Sequence, residues 1–78
     1  MAPRDVTFVD TLWNLLKAWA KEQAAQNATP TLEQCAAEVK RLGETIIGNS
    51  GALRADAVTF FAAETLEMVA KFSAEATA

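Results

Sequence analysis

Histidine and tyrosine are absent from this chain, and there is a single cysteine, Cys35. Each gap removes a class of chemistry. Without histidine the usual general base is missing, and so are the Glu-x-x-His pairs of di-iron helical bundles. One thiolate with carboxylates is not a ligand set that structural zinc normally uses, and a lone thiol forms no intrachain disulfide. Glycine and proline are few, three and two. Gly48 and Gly51 frame a turn, but neither the lysine nor the strand of a phosphate-binding loop accompanies them.

Positive charge is scarce as well: seven Lys and Arg stand against ten Asp and Glu, for a net charge of -3. Such a surface repels phosphate backbones and anionic membranes. No stretch approaches the ~20 consecutive apolar residues of a membrane span. The opening residues Met1 to Asp5 lack the basic-then-apolar layout of a secretory signal. With one reduced thiol, the cytoplasm is the expected compartment. No catalytic residue, metal ligand or cofactor is expected.

What is present is helix-forming material. The 78 residues are 51% hydrophobic, and alanine, the best helix former, is abundant. This is enough chain for one domain. Between residues 6 and 25, Phe8, Leu12, Leu15, Leu16 and Trp19 fall on one side of a helix that starts near Asp5 or Thr7. Val9, Trp13 and Ala20 lie beside them, and Asp10, Asn14, Lys17 and Lys21 lie opposite. Trp19 is placed in the core and Trp13 at its margin.

A second helix is predicted over 30–47. Pro30 can open it behind a Thr29 cap, or Thr31 with Gln34 can form a capping box one turn later. Leu32, Cys35, Val39, Leu42 and Ile46 recur at steps of three and four, the pattern of a packed seam. Cys35 in that seam reads as a buried apolar thiol and not as a nucleophile. Ala36 and Gly43, beside the seam, would let another helix approach closely. Gly48 ends this helix, and Asn49 or Ser50 would cap the next.

The third helix is predicted over 52–73, with Val58, Phe61, Ala62, Leu66, Met68, Val69 and Phe72 on its apolar stripe. Thr65 lies within the stripe and can return its hydroxyl to a backbone carbonyl. Leu53 and Phe60, seven apart, project to a second side with Glu64, Glu67 and Lys71. They pack either on the rest of the chain or on a second polypeptide.

The fold class that follows is all-α, three helices running up-down-up, either closed on themselves or, the favoured expectation, assembled into a dimeric bundle. The expected function is non-enzymatic: a small acidic helical protein that binds and modulates another protein. Inhibitors, adaptors, chaperones and phage- or mobile-element-encoded modulators provide analogies of class. Trp13, Leu53, Phe60, Glu64 and Glu67 are the candidate partner-binding residues. Two alternatives stand beside it. One is a helix-turn-helix DNA-binding regulator built on the second and third helices, although its recognition helix would carry only Arg54 and Asp56 as charged groups in its first turns. The other is a carrier of small apolar ligands.

Overall fold

The computed structural model describes residues 3–48 and 53–77, with side-chain surroundings for 8–48 and 53–76. Three helices form, α1 over Pro3–Ala25, α2 over Leu32–Ile47 and α3 over Ala55–Thr77, and no strand occurs among the described residues.

The ends of the helices follow local chemistry. Pro3 opens α1, a position where its missing N–H would have had no helical partner. At the other end Asn27 takes a left-handed φ of 58°. Its N–H reaches the carbonyl of Ala24 and the Ala28 N–H reaches that of Gln23, the paired bonds of a Schellman stop. The Thr31 box then wins over Thr29 and Pro30 as the start of α2. Thr31 Oγ1 accepts from the Gln34 N–H at 3.1 Å, and Gln34 Oε1 accepts from the Thr31 N–H at 2.9 Å. Two otherwise orphaned donors are satisfied together, worth about 1 kcal/mol. The helix therefore starts at Leu32, two residues later than expected, and Pro30 lies buried just outside it. Gly48 closes α2 with φ of 77°.

The third helix differs most from its expected bounds. It begins at Ala55 rather than near residue 52 and runs to Thr77 rather than ending near Ser73. Asn49 and Ser50 lie outside the described residues. An alanine-rich tail made of strong helix formers carries the helix past Ser73.

The helices pack mutually, each touching both others, so the three-helix arrangement closes on itself. Trp13 of α1 meets Phe60 and Phe61 of α3, and further along Lys21 of α1 sits over Phe72 of α3. Contacts advancing together in sequence mean that α1 and α3 are parallel, as an up-down-up order requires. Each of these 23-residue helices is about 34 Å long. The molecule measures 41 Å along its long axis and 23 Å by 18 Å in section.

The core is made where the three stripes converge. Leu12, Leu16 and Ala20 from α1, Cys35 and Val39 from α2 and Thr65 from α3 are fully enclosed, with Leu42, Phe61, Ala62 and Val69 nearly so. On α1 the buried row runs Leu12, Leu16, Ala20, Ala24 at intervals of four. Leu15 falls outside that row and is 40% exposed, and Trp19 is half-buried against the core rather than central in it. On α2 the seam holds from Cys35 to Leu42, with Ile46 packed against it, while Leu32 at the first helical position is exposed. Thr65 is the one buried polar residue among those described, and its Oγ1 donates to the Phe61 carbonyl at 2.7 Å. The hydroxyl is thus satisfied within its own helix and the surrounding core can stay apolar.

Gly43 explains itself differently from expectation. The atoms nearest to it belong to the Leu53 side chain. A Cβ built on Gly43 would lie 2.5 Å from Leu53 Cδ1 and 2.9 Å from Cγ. Leu53 precedes α3 and is half-buried there, using the space that a missing side chain leaves on α2. Gly43→Ala sets a helix-propensity gain of about 1 kcal/mol against overpacking of about 1–3 kcal/mol. Urea unfolding should show net destabilisation of about 1 kcal/mol in the wild-type background, since both Leu53 atoms must move. In a Leu53→Ala background the same substitution should stabilise by about 1 kcal/mol, because only the propensity gain is left. Equal effects in the two backgrounds would rule out the Gly43–Leu53 contact.

Candidate functional site

Outside the core, the apolar side chains that stay uncovered are not evenly distributed. Phe60 is 57% exposed, the largest value among the big apolar residues described. It is held in place all the same. Its ring meets Trp13 edge-on at 6.4 Å between centroids and Phe61 at 5.5 Å, and Trp13 meets Phe61 at 4.9 Å. Edge-to-face pairs of this separation are favourable by about 0.5–1.5 kcal/mol beyond the area they bury. Phe61 faces inward at 8% exposure, so it anchors the cluster to the core while Phe60 carries it to the surface. Val9, one helical turn before Trp13, extends the patch and is 38% exposed.

Carboxylates border this patch. Asp56 lies one turn before Phe60, Glu64 one turn after it and Glu67 two turns after it, along one side of α3. On α1, Asp10 precedes Trp13 by a turn and Lys17 follows it by a turn. Arg54 pairs with Asp56 at 3.5 Å, while both side chains stay largely in solvent. Asp10, Glu64 and Glu67 make no ion pair among the described residues.

Of the five residues selected from sequence, Trp13 and Phe60 meet across α1 and α3, and Glu64 and Glu67 follow Phe60 by one and two turns along α3. Leu53 does not join them. Helical spacing had put Leu53 on the same side as Phe60, but α3 starts two residues after Leu53, whose side chain goes to Gly43 on α2. Phe61 was legible only as a core residue; its second role, bracing Phe60 and Trp13, depends on how α1 and α3 align.

A shallow apolar groove lies elsewhere, between the α1–α2 connection and α3, lined by Thr29, Pro30, Leu66, Val69, Ala70 and Ser73. Its volume of about 190 Å³ falls below the range of roughly 300–1,000 Å³ typical of small-molecule sites. The basic residues of α2 are partly engaged: Arg41 donates from Nε and Nη2 to the Glu38 carboxylate, a two-point contact one turn apart. No group of three His, Cys, Asp or Glu side chains converges among the described residues, and none of the described helices is long and apolar enough to cross a membrane.

Cys35 sits in the core, and burial pushes its thiol pKa above the ordinary range. A raised folded-state value means that the neutral thiol adds its full stability below the unfolded thiol range. That contribution is lost as pH rises through the folded value. Ellman's reagent at pH 8 should leave Cys35 unmodified in the folded chain and react within minutes in 8 M urea, on the order of a hundredfold faster. Comparable rates in the two conditions would place the thiol at the surface. No protein family, curated protein or solved structure matches this chain.

Proposed function

We propose that the chain is a non-enzymatic binding protein that engages another protein through the Trp13–Phe60 face and modulates that partner by occupying its surface. The observation that carries this reading is Phe60, more than half exposed yet fixed by two rings. Scattered exposed leucines are ordinary on any protein. A contiguous aromatic patch is different, because Trp and Phe supply large contact area at little cost in side-chain freedom. Aromatic anchors of this kind dominate the energetics of protein interfaces.

The test compares wild type with Phe60→Ala and Trp13→Ala, Phe60→Ala variants as baits, with circular dichroism confirming that each is helical. Phe60 is mostly in solvent, so its truncation should cost stability only about 1 kcal/mol. A protein retained by the wild type should be lost from both variants, and the purified pair should show binding weakened by at least roughly tenfold. Retention of the same proteins by all three baits would remove the reading.

Self-association is proposed alongside, through a different surface. Leu32 and Ile47, at the two ends of α2, are 47% and 46% exposed. In this proposal sedimentation equilibrium finds a dimer in the wild type and a monomer in Leu32→Gln, Ile47→Gln. A wild type that is monomeric at about 100 μM, a concentration far above the Kd of a stable dimer, would rule the pairing out.

A further inference from the structure

We draw no further inference here: the strongest candidate, the shallow apolar groove between the α1–α2 connection and α3 lined by Thr29, Pro30, Leu66, Val69, Ala70 and Ser73, carries nothing because nothing in the structure shows what covers it.

Discussion

Everything in this molecule depends on three apolar stripes meeting along one line: Leu12 and Leu16 from α1, Cys35 and Val39 from α2, and Phe61 to Thr65 from α3. No one of these helices would hold in water by its own propensity, since most helical stability in proteins comes from packing an apolar face. A short chain has little interior to draw on, so the few fully enclosed residues carry a large share of the stability. The polar exception among them, Thr65, returns its hydrogen bond to its own helix and makes no demand on its neighbours. The capping box at Thr31 and the left-handed stops at Asn27 and Gly48 then fix where the rods end. Those ends decide which residues reach the common line.

Periodicity made the three rods legible because a helix repeats its facing every 3.6 residues, whatever it packs against. It located the seam of α2 from Cys35 to Ile46 and the inward side of α3. It misplaced residues whose fate depends on the other helices. Leu15 belongs to the apolar side of α1 by angle, yet three helices cover a narrower arc than the stripe spans, and the covered row follows Ala20 and Ala24. Leu32 matches the α2 seam in spacing, but the Thr31 cap puts it at the first helical position with Pro30 buried before it. Gly43 was recognisable as a close-approach site; what approaches is a leucine before α3, which no pattern within α2 could reveal.

The proposed binding face was partly readable for a related reason. Phe60, Glu64 and Glu67 share a side of α3 by simple angle, and Trp13 lies at the edge of the α1 stripe by the same reckoning. That these two edges adjoin requires α1 and α3 to run parallel, and that alignment is a property of the whole bundle. Leu53 shows the opposite case. Its seven-residue spacing from Phe60 carries meaning only inside a continuous helix, and α3 begins after it.

Adjacent residues on α3 divide the work. Phe61 turns into the core at 8% exposure, while Phe60, one peptide bond away and about 100° around the helix, turns to solvent at 57%. Each ring touches the other and both touch Trp13, so the core stiffens the patch without absorbing it. An aromatic anchor that is already held in one orientation loses less freedom when a partner arrives. Because it is mostly solvated, it can be removed without opening a cavity, whereas truncating Phe61 would open one in the core and cost about 3–5 kcal/mol. In the proposed reading, fold and recognition thus fall to neighbouring positions on one helix.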